Sequence, residues 1–125
     1  MLRNEKGFTL IEIIAVLVIL GILAAVAIPK YISMMDSSRI AAAQGAIAEV
    51  KGRASGYYAS KTLVNGAVPA PASVMASVTG TPPLGSDFTV AAGPLAGSDI
   101  PISVTAVKGS VLPTAVSGTW YYPTT

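Results

Sequence analysis

Apolar side chains form one long run near the N-terminus of this 125-residue chain, and the run stops at Pro29. As an α-helix, residues 8–28 would extend about 31 Å, close to the roughly 30 Å of a bilayer's hydrocarbon core. A short polar and basic segment precedes the run, and Glu12 is an acid inside it. The pattern predicts a membrane-length helix whose N-terminus stays cytoplasmic under the positive-inside tendency.

A second apolar pattern, with helical spacing, follows this run. Its positions are separated alternately by three and four residues, which places them on one face of an amphipathic helix. They are Ile40, Ala43, Ile47, Val50, Ala54 and Tyr57. Glu49 and Arg53 lie four residues apart and can pair along the helix. Because Gly45, Gly52 and Gly56 each cost about 1 kcal/mol in a helix interior, we expect this segment to depend on packing.

The C-terminal half has a different composition. Residues 62–86 are rich in Pro, Gly, Ala, Ser and Thr, which predicts a loop with one short helical turn at about 73–77. Three strand candidates follow at 87–92, 100–107 and 118–122. Apolar and polar side chains alternate in the middle one, as in a strand with one buried face. The segment after Thr62 has too few large apolar residues to form much of a core by itself. We therefore expect the sheet to pack on the apolar face of the amphipathic helix.

Together these elements predict an α+β protein, with a long N-terminal helix packed on a small antiparallel sheet. We divide the chain into a leader at 1–7, a transmembrane helix at 8–29, an amphipathic continuation at 30–60, and a loop and sheet head at 61–125. Tyr57, Tyr58 and residues 120–122 should anchor the sheet to the helix, because aromatic side chains bury large areas in small cores.

Charge and composition exclude several classes of function. The chain has no cysteine and no histidine, which excludes disulfides and thiolate chemistry and removes the commonest acid-base side chain. Outside the leader, residues 8–125 hold six basic and five acidic residues, so no basic patch supports nucleic-acid binding. Asp87 and Asp99 are too isolated for a calcium loop. With no nucleophile-base constellation in the sequence, we expect a protein that is not an enzyme and holds no metal or cofactor.

The stretch Lys6-Gly7-Phe8-Thr9-Leu10-Ile11-Glu12, with the apolar run after it, resembles the N-terminus of type IV pilins and type II secretion pseudopilins. The resemblance implies a pilin-like fold, cleavage by prepilin peptidase between Gly7 and Phe8, and N-methylation of the new Phe8 amine. Gly7 suits such a cut, since a residue without a side chain lets a protease approach the backbone closely.

The same resemblance implies a cellular route and partners. The precursor would sit in the inner membrane with its N-terminus in the cytoplasm, and an ATPase-driven assembly platform would move it into a filament. That filament, extracellular or periplasmic, would be a helical homo-oligomer with the retained helices bundled at its centre. The chain departs from those pilins that close their C-terminal loop with a disulfide, because it has no cysteine.

Glu12 has two interpretations. By resemblance, its carboxylate meets the Phe8 amine of a neighbouring subunit and sets the assembly register. A lone acid among apolar helices is costly, and pairing offsets that cost only in the correct register. The residues themselves also allow a structural interpretation, because Thr9 and Glu12 have the S/T-x-x-E form of a capping box and the macrodipole favours an acid there. Glu12 is also close enough to the interface to snorkel.

Two further positions are predicted to shape the helix. Gly21 and Ala25 form a small-xxx-small pair that permits close helix approach, although small residues are ordinary in membrane helices. Pro29 lacks a backbone N–H and should bend or interrupt the helix. The resemblance implies that the segment from Gly21 to Pro29 can lose helicity in a filament, so both are predicted kink positions.

A secretory signal peptide is the rival interpretation, because basic residues, an apolar core and the small residues of Ala25-Val26-Ala27 also describe one. It would release a soluble binding domain that begins at Ile28. Glu12 and the length of the apolar run at 13–28, slightly beyond the usual signal-peptide core, weigh against it. Within the pilin class, a pilus subunit is the first hypothesis and a major type II pseudopilin the second.

Overall fold

The computed structural model describes residues 7–79 and 84–123, so the predicted leader lies outside the described residues apart from Gly7. The chain divides into two compact units, between Met35 and Asp36. The helices are α1, Leu10–Asn65, and α2, Pro71–Thr79, followed by a single 3-10 turn at Gly85–Asp87. The strands are β1, Phe88–Ala92, β2, Ile100–Val107, and β3, Ser110–Trp120. The predicted α+β fold, a long N-terminal helix with a small antiparallel sheet, is confirmed.

Pro29 lies inside α1 without interrupting it. Of the two predicted effects, a bend or an interruption, the helix shows no interruption, because one missing N–H removes a single backbone bond from a long run of helical residues. Whether the helix bends there, and whether Gly21 contributes, stay predictions.

In the second unit, the predicted apolar face of α1 is buried. Ala46 joins it, while Ile40 and Tyr57 at its two ends are partly buried. One continuous core combines this face with both α2 and the sheet. Its buried members are Ala43, Ala46, Ile47, Val50 and Ala54 of α1, Val74 and Val78 of α2, Ile100, Ile102, Val104 and Val107 of β2, and Leu112 and Trp120 of β3. The sheet packs on the helical face, as the small number of large apolar residues after position 62 requires.

The sheet is antiparallel in the order β1-β2-β3, so β3 is an edge strand. The prediction that the third strand covers 118–122 is wrong, because β3 begins at Ser110 and ends at Trp120. A two-residue turn at Lys108 and Gly109, with φ of 49° and 75°, joins it directly to β2. Positive φ at both turn residues matches the right-handed twist of a tight hairpin.

Pro113 is the reason that the early part of β3 is hard to recognise. Proline cannot donate to a ladder and is favoured at edges and bulges, and Pro113 lies on the edge strand at a register irregularity. Val104 pairs with Val116, but Ala106 pairs with Val111, so residues 112–115 stand opposite one residue of β2. This irregularity accommodates the proline.

The segment at 62–86 is more helical than predicted. The first helix continues to Asn65, and α2 is a nine-residue helix rather than a single turn. Pro71 is its first residue, where the missing N–H has no partner to lose. Val74 and Val78 lie four residues apart on one face, and both are buried. A helix this short depends on that burial.

Aromatic side chains tie the end of β3 to α1. The indole N–H of Trp120 donates to Ser55 Oγ at 2.8 Å, and the rings of Tyr58, Trp120 and Tyr122 contact one another with centroids 5.5–6.2 Å apart. The Tyr122 hydroxyl donates to the Pro69 carbonyl at 2.7 Å. The predicted anchoring role is therefore confirmed for these three rings.

Two of the predicted aromatic anchors behave differently. Tyr121 is 74 % exposed, so the prediction is wrong for it. It directly follows the buried Trp120, and successive side chains point to opposite faces at the end of a strand. Tyr57 is half-buried beside the core, and the Lys61 ammonium lies 5.6 Å from its ring centroid.

Candidate assembly site at the start of the first helix

Thr9 and Glu12 form a reciprocal pair at the start of α1. The Thr9 N–H donates to Glu12 Oε2 at 2.7 Å, and the Glu12 N–H donates to Thr9 Oγ1 at 3.4 Å. Since the helix begins at Leu10, Thr9 is the N-cap and Glu12 is the third helical residue. This is the geometry of a capping box, in which each side chain satisfies a backbone N–H that the helix leaves open.

The cap fixes where the Glu12 carboxylate lies. It holds one carboxylate oxygen on the Thr9 N–H, one residue from the Phe8 backbone, at the positive end of the helix macrodipole. A carboxylate can accept more than one donor, since its two oxygens offer about four acceptor directions. Capping and pairing with an amine are therefore compatible, and the two interpretations of Glu12 do not exclude each other.

After the cap, the large apolar side chains of the first part of α1 are exposed in the part of the chain that the structure describes. The large apolar residues of 10–28 are 45–78 % exposed, and none of the most apolar window is buried. By length and composition this is the one described helix able to cross a membrane. Apolar surface of this extent is normally covered by lipid or by another protein surface.

The five predicted site residues fall into two groups. Gly7 and Phe8 are exposed and lie next to the Thr9–Glu12 cap, and the Phe8 side chain is 86 % exposed. Gly21 and Pro29 lie about 14 Å and 26 Å along the helix from Glu12, at 1.5 Å per residue. A side chain at Gly21 would meet nothing within 4 Å, so the folding of this chain does not require glycine there. Gly7, Phe8 and Glu12 therefore lie together in one candidate site. Gly21 and Pro29 lie apart from it.

Of the two head acids considered for a calcium loop, Asp87 and Asp99, the second has a structural role. Asp99 accepts a hydrogen bond from the Tyr122 N–H at 3.0 Å, which fixes the chain just after β3. Across residues 7–79 and 84–123, no group of three or more acidic side chains lies together as a metal site would need.

The N-terminal part of the chain matches a known family of proteins. A family profile described as the prokaryotic N-terminal methylation motif matches residues 2–28. The chain is 36 % identical over 86 residues to the type IV narrow pilus major component PilA5 of Thermus thermophilus, covering 69 % of this chain and 71 % of PilA5. No solved structure matches the chain.

Two other relatives match mainly in the N-terminal part. The type II secretion system core protein G of Pseudomonas aeruginosa is 51 % identical over 45 residues, 36 % of this chain and 32 % of that protein. The fimbrial protein EcpC of Eikenella corrodens is 44 % identical over 57 residues, 46 % of this chain and 37 % of EcpC. The chain thus spans about a third of the length of these two relatives.

An uncovered apolar helix that opens on a methylation motif and continues into a small α+β head defines a pilin-like protein. The extent of the match to PilA5 settles the family, and the chain belongs to the family of type IV pilins and pseudopilins.

Proposed function

We propose that this protein is a structural subunit of a type IV pilus-like filament. In this proposal, prepilin peptidase cleaves the precursor between Gly7 and Phe8, the Phe8 amine is methylated, and an inner-membrane platform moves the subunit into a helical homo-oligomer. The role is structural rather than catalytic. The observation that carries the proposal is the uncovered apolar helix of α1, which begins at the Thr9–Glu12 cap.

The exposed apolar side chains of α1 must be shielded from water both in the membrane precursor and in the filament. In the precursor, lipid covers them, and a helix of this length spans the hydrocarbon core. In the filament, the same side chains of neighbouring copies cover one another. The subunit would therefore pass from the inner membrane, with its N-terminus cytoplasmic, into an extracellular or periplasmic filament without exposing this surface to water.

Glu12 is the feature that would give the assembly a defined register. Removing a carboxylate from water is unfavourable, and the cap supplies only part of the compensation through the Thr9 N–H. Cleavage before Phe8 would create a free amine at the start of each subunit. An amine from a neighbour could then pair with Glu12 only when the two helices are in the correct register.

Substitutions at Glu12 test this role, because two of them separate charge from capping. Glu12→Gln removes the charge but keeps a capping-competent residue, whereas Glu12→Ala removes both. We expect both variants to insert into the membrane and neither to form filaments when no wild-type subunit is present. Filament yield is measured by shearing and electron microscopy. A normal yield from Glu12→Gln would show that the cap suffices and would refute the pairing role.

A pseudopilus subunit of a type II secretion system is the second candidate. The match to protein G, 51 % identical over 45 residues, favours it specifically. Expressing the chain in one host that lacks its major pilin, and in another that lacks its major pseudopilin, distinguishes the two. Restored surface pili support the pilus role, while restored secretion of a type II substrate without pili supports the pseudopilus role.

A further inference from the structure

The last turn of α1 ends in an asparagine followed by a glycine, a pair prone to deamidation and not involved in the proposed assembly role. Asn65 is the final helical residue, and Gly66 follows it with φ of +63°. Both residues are exposed. The Gly66 N–H donates to the Thr62 carbonyl at 3.0 Å, which closes the turn. An asparagine followed by glycine is the arrangement most prone to cyclise, because glycine has no side chain to hinder attack by its own nitrogen.

This last turn is weakly held. Leu63 and Val64 are 85 % and 81 % exposed, so they add almost nothing to the core. The Thr62 hydroxyl donates to the Tyr58 carbonyl at 2.8 Å, a type of side-chain bond that competes with the helix. The final turn of α1 also contains no basic residue to stabilise its open carbonyls. Such helix ends open locally far more often than the protein unfolds.

We propose that Asn65 is a site of spontaneous deamidation, gated by opening of the last turn of α1. Opening releases the Gly66 N–H from the Thr62 carbonyl, and solvent base removes its proton. The Gly66 nitrogen then attacks Asn65 Cγ, the bond from Cγ to the amide nitrogen breaks, and ammonia leaves. Water hydrolyses the resulting five-membered imide at either carbonyl, giving aspartate or isoaspartate. The net reaction consumes one water and releases one ammonia.

The product would alter this end of the head. A new carboxylate lies at the negative end of the helix macrodipole, so it loosens the turn further. Residues 8–125 carry six basic and five acidic residues, so the added charge brings their formal charge from +1 to zero. The fraction of copies with a carboxylate at residue 65 would therefore increase irreversibly with the age of the protein, on an exposed part of the head.

Mass spectrometry of the aged full-length protein tests the proposal. Trypsin releases residues 62–108, in which Asn65 is the sole side-chain amide. After incubation at neutral pH and body temperature over days, we expect this peptide to gain about one dalton and to contain isoaspartate. Asn65→Ser, which has no amide, should show no gain. A synthetic peptide of residues 60–70, too short to hold a helix, provides the ungated rate.

A substitution at Thr62 tests whether opening of the last turn of α1 controls the rate of deamidation. Thr62→Ala keeps the carbonyl that accepts from Gly66 but raises helix propensity, so conversion should slow about threefold. Urea should bring the rate up to that of the peptide. If residues 62–108 stay unmodified in the folded chain while the peptide converts, Asn65 is not such a site. If Thr62→Ala converts as fast as the wild type, the last turn is not the gate.

Discussion

Gly118 of β3 lies against α1, and Gly118→Ala tests that packing. A Cβ at this position would lie 2.8 Å from Ile47 Cγ2 and 3.2 Å from Lys51 Cε. Carbon atoms pack best at about 3.5–4.0 Å. The Lys51 tip can swing aside, but Ile47 is 6 % exposed and sits in the core. The new methyl group therefore forces the helix and strand apart by roughly 1 Å, or forces Ile47 out of its rotamer.

The expected cost follows from two opposing effects. Overpacking a well-filled core costs about 1–3 kcal/mol. Replacing a strand glycine by alanine returns about 0.5–1 kcal/mol through lower chain entropy. The two ranges differ by about 0–2.5 kcal/mol, so we expect Gly118→Ala to lower the free energy of unfolding by about 1 kcal/mol.

A matched control makes the same chemical change at an open position. Gly52 is an exposed residue of α1, and a Cβ there would meet nothing within 4 Å. Gly52→Ala should raise the free energy of unfolding by about 1 kcal/mol, because alanine is the better helix former. The two glycine-to-alanine changes should thus have opposite signs.

Urea unfolding of the purified chain in detergent measures both effects. Trp120, the single tryptophan, is 5 % exposed, so its fluorescence reports exposure of the core. In an Ile47→Ala background, the cost of Gly118→Ala should largely disappear, since the blocking atom is gone. An unchanged cost in that background, or a Gly118→Ala variant more stable than the wild type, would refute the close contact.

Two further predictions concern the C-terminal tyrosine and the cleavage position. Burial, and to a lesser extent Tyr58, raises the pKa of Tyr122 above its usual value of about 10. The stability this contributes is complete below the unfolded pKa and is lost as pH rises through the higher folded pKa. Thermal unfolding at alkaline pH should therefore depend less on pH in Tyr122→Phe, and an equal dependence would contradict this. Gly7→Leu should leave uncleaved precursor on immunoblots of cells that contain prepilin peptidase, whereas normal processing would disprove the need for glycine.

Features encoded by neighbouring residues could be predicted from the sequence. The capping box needs only Thr9 and Glu12, and the buried face of α1 follows from its three- and four-residue spacing. β2 has its predicted bounds, Ile100–Val107, and buried positions alternate with half-buried ones from Ile100 to Val104. In each case the pattern and the structure depend on residues within one or two helical turns or one strand.

Features that depend on contacts between residues far apart in the sequence could not be predicted from it. β3 accommodates Pro113 only because it is an edge strand with an irregular register, and neither property is visible in a strand pattern. α2 is a helix because Val74 and Val78 find a core contributed by other elements. The contact of Gly118 with Ile47 joins residues far apart in sequence, so an isolated strand glycine gave no sign of it.

The N-terminus of the mature protein tests the central claim most directly, because the retained helix of α1 is what a filament subunit needs. Intact mass and N-terminal sequencing of protein purified from cells that contain prepilin peptidase would locate it. The account predicts a chain that begins at N-methylated Phe8 and keeps Glu12. A mature chain that begins at Ile28 would contradict it, because the assembly helix would have been removed as a signal peptide.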